Sequence, residues 1–360
     1  MVGQIFGPDL FSRSQPKFEL VTKEICGDIS RVIETHYKCL GHEVVSVEKL
    51  SGLEINSKNF KVAIGSRIYA LKRTDKQANA TSCNEQLAIS QQLLERGIPF
   101  PRIVKNDDGA LLSSHDDGFV WILAEFIEGD YFSGCSKDFF TIARAVGAMQ
   151  ITLETIEPKK LPLSASVGAW TQTSKILSEL LERKRDWSTI FPPSECEVLM
   201  REEESFVNSF WQVSDCMPSF HSCIVPTHID IHPHNILVSG DNFPVFVDVN
   251  SLLLADRTQS LAFATYKLAR QYVVYEGLAG LHKSMAKATR VFVDKLAHSA
   301  KLENNCIADF PLAATAEVLR RIAIIADLNM HKENREWNAV LHMHLSALHE
   351  IPLLFADFPQ

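Results

Sequence analysis

The sequence predicts an α+β fold in which a small antiparallel sheet precedes a larger, mainly helical region. Three observations carry that prediction. Residues 44–50, 59–64 and 67–72 alternate apolar and polar side chains, as half-buried strands do. From residue 138 onward, apolar residues recur at helical intervals over most of the chain. That helical run is interrupted by Thr227-His228-Ile229-Asp230-Ile231-His232-Pro233-His234-Asn235, which is followed by two short apolar runs, 236–238 and 245–247. Gly240-Asp241-Asn242 lies between them and Asp248 follows, the pattern of a loop entering a β-hairpin.

In chain order, the first residues, Met1-Val2-Gly3-Gln4-Ile5-Phe6-Gly7-Pro8-Asp9, lack the basic stretch and apolar core of a signal peptide. Residues 1–42 form an extension whose amphipathic stretch, 18–40, places Val21, Ile25, Ile29 and Ile33 on one helical face. The three alternating runs then form strands, with Ser51-Gly52-Leu53-Glu54-Ile55-Asn56-Ser57 connecting the first two. A helix over 84–94 ends at Gly97-Ile98-Pro99-Phe100-Pro101, residues that do not continue a helix. Residues 120–129 read as a strand terminated by Gly129. Further helices are expected over 138–156, with Phe139, Ile142, Val146 and Met149 inward, over 169–187 and 195–213, and from Ser260 to the end.

The interrupting segment carries the chemistry. In H-x-D-x-x-x-x-N loops of phosphoryl-transfer enzymes the aspartate takes the acceptor hydroxyl's proton, the asparagine ligates magnesium, and a later aspartate holds the metal again. His228, Asp230, Asn235 and Asp248 fill those places. The spacing suits a reaction governed by positioning and charge neutralisation, because one short loop offers a carboxylate to the acceptor and an oxygen ligand to a hard cation. Two other readings of the same residues stand beside it. His228 and Asp230 also suit a hydrogen-bonded core histidine and a loop cap, and His228, Asp230, His232 and His234 also resemble alternating ligands of a metal-dependent hydrolase. Pro233 disfavours a regular strand there, and the hydrolase reading leaves Asn235 and Asp248 without a task.

The run from His228 to Leu237 resembles the H-G-D-x-H-P-x-N-I-L signature of the aminoglycoside phosphotransferase and choline kinase superfamily of small-molecule kinases. That resemblance implies a two-lobed protein-kinase-like fold, with a nucleotide-binding N-lobe over 43–125 and a catalytic and acceptor-binding C-lobe over 126–360. It implies Asp230 as catalytic base, Asn235 and Asp248 as magnesium ligands, and His228 as a brace for the loop. Lys72, at the end of Ile68-Tyr69-Ala70-Leu71-Lys72, stands where kinases keep the lysine that pairs with the α- and β-phosphates, and Glu85 on the following helix is its expected partner. Gly52 and Asn56 fall in the nucleotide loop, although a single glycine makes a poor phosphate cradle. The resemblance further implies that Glu125, Phe126 and Ile127 form the linker whose main chain meets the base.

The implied activity is transfer of the γ-phosphoryl group of ATP, or GTP, with Mg2+ to a hydroxyl of an aminoglycoside, sugar or amino alcohol. A noncatalytic protein that binds nucleotide or ligand is the alternative. Three departures from the family pattern stand out. Val249-Asn250 follows Asp248 where an aromatic residue is usual, Ser260 replaces an aspartate that opens a helix and is expected to cap it, and Gln150 replaces a histidine.

Composition sets outer limits. The 360 residues are 46% hydrophobic and 22% charged, ordinary for a globular chain with two substantial cores. A net charge of −8 disfavours nucleic acid as a partner and suits a cationic acceptor. Eight scattered cysteines without a C-x-x-C pair read as reduced thiols, which with the absence of a long apolar span gives the expectation of a cytoplasmic protein that does not enter membranes. Glu202-Glu203-Glu204 reads as a solvated helix face, and the oligomeric state is not legible.

Overall fold

The computed structural model describes residues 16–41, 43–51, 58–74, 79–115, 118–163, 170–217, 223–239, 243–332, 334–335 and 337–358. The first half is built on β1 (Lys17–Leu20), α1 (Lys23–His36), β2 (Val44–Ser51), β3 (Lys58–Ile64), β4 (Arg67–Arg73), α2 (Ala80–Glu95), β5 (Ser113–Ser114) and β6 (Val120–Glu125). The strands form one antiparallel sheet in the order β1-β2-β3-β4-β6-β5. Alternation along β6 sends Trp121 and Leu123 into a core with Ile29, Val32 and Ile33 of α1, while Ile122 and Ala124 join the core that contains Leu87 and Leu93 of α2. Each helix therefore covers one face of the sheet. Leu71 is fully buried toward α1, so its neighbour Lys72 projects from the opposite face.

The expected helix over 18–40 is shorter. Thr22 caps it by accepting from the Ile25 amide, and the alternating residues before the cap become β1, pairing Phe18 with Leu50 at the sheet edge.

The second half comprises β7 (Asp130–Tyr131), α3 (Ser136–Leu153), α4 (Trp170–Glu182), α5 (Trp187–Ile190), α6 (Pro193–Arg201), α7 (Glu203–Cys216), β8 (Ile224–His228), β9 (Ile236–Val238), β10 (Val245–Phe246), β11 (Leu252–Asp256), α8 (Arg257–Tyr275), α9 (His282–Ala300), α10 (Asn304–Ala308), α11 (Phe310–His331) and α12 (Asn338–Leu354). α3 lies so close to α9 that a Cβ on Gly147 would stand 2.5 Å from the Leu296 carbonyl oxygen, so the absence of a side chain permits the approach. Phe139 fills the same interface, its ring stacked on Tyr272 at 4.2 Å and Phe292 at 4.6 Å.

The stretch expected as one helix over 195–213 breaks at Glu202, which is turned aside so that its carboxylate meets His349 at 2.6 Å. This carboxylate of the expected wet face is thus half-buried. Among the described residues no helix is long and apolar enough to cross a membrane.

Candidate active site

Two short ladders bring the motif residues together. β10 pairs with β9 so that Phe246 faces Ile236, and the Val247 amide donates to the Asn235 carbonyl at 3.1 Å. β11 pairs with β8 so that Leu252 faces His228, and the Ile229 amide donates to the Ser251 carbonyl at 3.0 Å. The two ends of the segment 228–252 are thus fastened to each other, with Asp230, Asn235 and Asp248 on its connecting loops. The Asn235 side-chain amide donates to the Asp230 carbonyl at 2.8 Å. Only the nitrogen can donate, so its Oδ1 is directed away from that bond.

Asp248 accepts from Lys72 at 2.8 Å on one carboxylate oxygen and from Ser251 at 2.6 Å on the other. Burial opposes ionisation, yet Lys72 and then Ser251 outweigh it and hold this carboxyl at about 2. Because the folded-state value is depressed, the stability this pair contributes is present above the ordinary carboxylate range and is lost as pH falls toward 2.

Asp230 accepts from the Arg321 guanidinium at 3.0 Å, and His232 Nε2 stands 3.5 Å from its second oxygen. Burial again disfavours the anion, but Arg321 and His232 overcome it and keep Asp230 well below its usual range. His228 is buried, and its Nδ1 accepts the Asp230 amide at 3.3 Å. Burial lowers its pKa against the pull of Asp248 and Asp230, so the ring is neutral and carries its proton on Nε2.

Asn235 and Asp248 fit a magnesium ion. Both are hard oxygen donors, brought near by the Val247–Asn235 main-chain bond, and Asp248 already collects positive charge from Lys72.

The model of the phosphotransferase enzyme family matches residues 46–286. The chain belongs to that family. By sequence, no curated protein matches it. Its fold is shared with solved members of low sequence identity. A spectinomycin phosphotransferase in complex with ADP and spectinomycin is 12% identical, with a TM-score of 0.66 over 92% of this chain and 97% of that one. A microcompartment-associated aminopropanol kinase is 14% identical, with a TM-score of 0.60 over 92% and 98%. An ethanolamine kinase of Plasmodium vivax is 15% identical, with a TM-score of 0.58 over 91% and 89%. The two-lobed, kinase-like α+β architecture follows from these matches.

Within this phosphotransferase-family frame, Lys72 reaches the site and Glu85 does not. The Glu85 carboxylate accepts the Lys159 amide at 2.7 Å, and among the described residues no ion pair joins it to Lys72. The cause is helical rotation: Gln86, one residue and about 100° further round α2, is the buried inward residue. Gln86 donates to the carbonyls of Asn250 at 2.8 Å and Leu252 at 3.0 Å, fastening α2 to the turn after Asp248.

The Glu125 amide donates to the Arg102 carbonyl at 2.9 Å and is therefore already occupied within the chain. Phe126 packs edge-on against Phe18 of β1 at 5.7 Å, and Ile127 is half-buried. Gly52 and Asn56 lie outside the described residues, as does the 240–242 turn.

Asp256, not Ser260, caps α8, accepting the Gln259 amide at 2.7 Å. Ser260 sits one turn inside the helix, where its hydroxyl donates back to the Asp256 carbonyl at 2.8 Å. Gln150 accepts from Thr227 at 2.7 Å and donates to the Pro226 carbonyl at 3.2 Å, so it braces β8 directly ahead of the loop that carries Asp230.

The hydrolase arrangement does not assemble: among the described residues no three His, Cys, Asp or Glu side chains are grouped to hold a metal. Pro233 opens a 3-10 turn, His232 Nδ1 accepts the His234 amide at 3.3 Å, and the His234 ring lies against Tyr131 at 4.8 Å. Arg321, Gln86 and Ser251 were not foreseen. Arg321 and Gln86 act through the tertiary fold, whereas Ser251 is a local partner three residues after Asp248.

Proposed function

We propose that this chain is a kinase that transfers the γ-phosphoryl group of a nucleoside triphosphate, ATP or GTP, to a hydroxyl of a small molecule. One observation supports it most: Lys72 from the sheet and Asp248 from the catalytic hairpin meet at 2.8 Å, on the segment whose other loop carries Asp230. Relatives of similar fold were solved with ADP and with GDP, so ATP and GTP are both candidate donors.

In this reading Asp230 orients the acceptor hydroxyl and receives its proton, the acceptor oxygen forms a bond to the γ-phosphorus, and the bond from that phosphorus to the bridging β,γ-oxygen breaks. The nucleoside diphosphate departs with the electron pair. A carboxylate with so low a pKa is a weak base, which suits a loose transition state in which the hydroxyl keeps its proton until the new bond is well advanced. Asn235 and Asp248 would hold a magnesium ion, which would supply neutralising charge to the phosphate tail. Lys72 exchanges Asp248 for the α- and β-phosphates when nucleotide enters, and neutral His228 keeps the Asp230 amide in place.

The experiment is incubation with γ-labelled ATP, magnesium and a panel of hydroxyl acceptors, with wild type beside Asp230→Asn. Labelled product from wild type is expected. Equal product from the variant removes Asp230 from its role, and no product from either leaves the noncatalytic alternative in possession.

A further inference from the structure

Behind Asp230 stands a buried carboxylate that has no part in the transfer itself. Glu317 of α11 is 5% exposed and takes four donors, two on each oxygen. Oε1 accepts from Arg320 Nη2 at 2.5 Å and Arg321 Nε at 2.9 Å, and Oε2 accepts from Arg320 Nε at 2.7 Å and the Gln259 side-chain amide at 3.1 Å. Arg321, one helical turn further on, carries the contact to the reaction centre. Its Nη2 donates to Asp230 Oδ1 at 3.0 Å and to the Ile229 carbonyl at 3.3 Å, while the guanidinium lies over the Phe263 ring at 4.1 Å. The ring fixes the plane of the fork and Glu317 fixes its rotation within that plane, which leaves a donor directed at the Asp230 carboxylate.

The far end of this line is anchored in α8. Asp256 caps the first turn of that helix through the Gln259 amide, and the Gln259 side chain reaches Glu317. Ser260, where the family pattern has an aspartate, spends its hydroxyl on the Asp256 carbonyl, so support for the Asp230 loop from this side comes across from α11. Bonded groups therefore run without a gap from the start of α8 through Glu317 and Arg321 to Asp230. Stability does not explain the arrangement, because desolvating a carboxylate and two guanidinium groups costs about as much as their attraction returns. What a forked, charge-assisted contact supplies and an apolar one does not is a fixed angle.

We propose that Glu317 is a positioning residue: it holds the Arg321 fork so that Arg321 sets the direction of the Asp230 carboxylate toward the acceptor hydroxyl. This role rests on the kinase reading above and deepens it. Enclosed by its four donors, Glu317 acts only through Arg321, and its effect belongs to the acceptor side of the reaction and not to the nucleotide side.

The test is steady-state kinetics of the full chain with ATP, magnesium and an acceptor that wild type phosphorylates. Glu317→Asp keeps the charge and draws the carboxylate back by one carbon, so kcat should fall about 10-fold while the ATP KM stays within about 2-fold of wild type, as misplacement by about 1 Å is felt at the reacting atoms. Glu317→Gln and Arg321→Gln should each lower kcat about 10-fold, and the double variant should lose no more than either, where independent effects would multiply to about 100-fold. Should Glu317→Gln fail to fold, Glu317→Asp takes its place in the cycle. Asn329→Ala removes a buried bond to Asn338 at 2.6 Å further along α11 and serves as the stability control, with a lower melting temperature and an unchanged kcat. Wild-type kcat in Glu317→Asp overturns the proposal, and so does a double variant in which the losses multiply. A rise in ATP KM beside the fall in kcat, or an equal loss of kcat in Asn329→Ala, makes Glu317 a general support of the fold and overturns it as well. All of these leave the kinase standing, whereas transfer by wild type to no acceptor removes the kinase reading and this role together.

Discussion

The hairpin segment from β8 to β11 and the helical wall of α8, α11 and α12 meet at Asp230 but are specified in different ways. In the hairpin, residues close in sequence are fixed by main-chain bonds, such as Val247 to Asn235 and Ile229 to Ser251, so spacing alone carries the geometry. In the wall, the groups that meet come from positions 263, 267, 317, 321 and 350, joined by side chains across three helices. Chemistry common to a family is written locally, where a motif displays it. The helical surroundings of Asp230 are assembled over long range, where each residue taken alone looks like an ordinary helix charge.

The largest expected effect lies in the hairpin. Asp230→Asn keeps the shape of the side chain and removes its charge, so kcat should fall by about 10²- to 10⁴-fold, the usual range for loss of a general base. Nucleotide affinity should stay nearly constant. A parallel loss of ATP binding by titration calorimetry would mean that Asp230 supports the nucleotide side instead.

Arg321→Gln tests the junction between the two regions. Activity that needs ionised Asp230 is lost as pH falls through its pKa, and Arg321 is the strongest group lowering that pKa. The acid limb of the kcat/KM profile should therefore move to higher pH in the variant, with a drop of about 10-fold at neutral pH as a charge-assisted bond disappears. An acid limb at the same pH in both proteins would uncouple the wall from the base.

The smallest effects separate Glu85 from Gln86. Glu85→Gln should change kcat by less than about 3-fold, in line with a partly exposed side chain bonded to a loop amide. Gln86→Ala should cost about 1–3 kcal/mol by leaving the Asn250 and Leu252 carbonyls short of a donor. The reverse order in thermal unfolding and steady-state rates would restore Glu85 as the working residue of α2.

Much of the fold was legible where local pattern and tertiary demand agree. The alternating residues of β2, β3 and β4 and the apolar stripe of α3 became the elements expected of them. The β8–β11 pair was not foreseen because β8 contains Pro226, which a strand tolerates only at an edge, and in a two-stranded ribbon both strands are edges. β1 was absorbed into the helical pattern of its neighbours, since Val21 and Ile25 continue a helical stripe and only the Thr22 cap divides them from Phe18. For the site, the hairpin positions were visible in sequence. The Glu85 pairing failed by one step of helical rotation, a phase that a short amphipathic pattern leaves undetermined.

The central claim is that Asn235 and Asp248 hold the cation that accompanies the phosphate tail. Its most direct measurement is ATP affinity with and without magnesium, by calorimetry, in wild type and in Asp248→Ala. Magnesium should tighten binding at least about 10-fold in wild type, worth some 1.4 kcal/mol, and should make little difference in the variant. Equal affinity with and without magnesium in wild type would contradict the account.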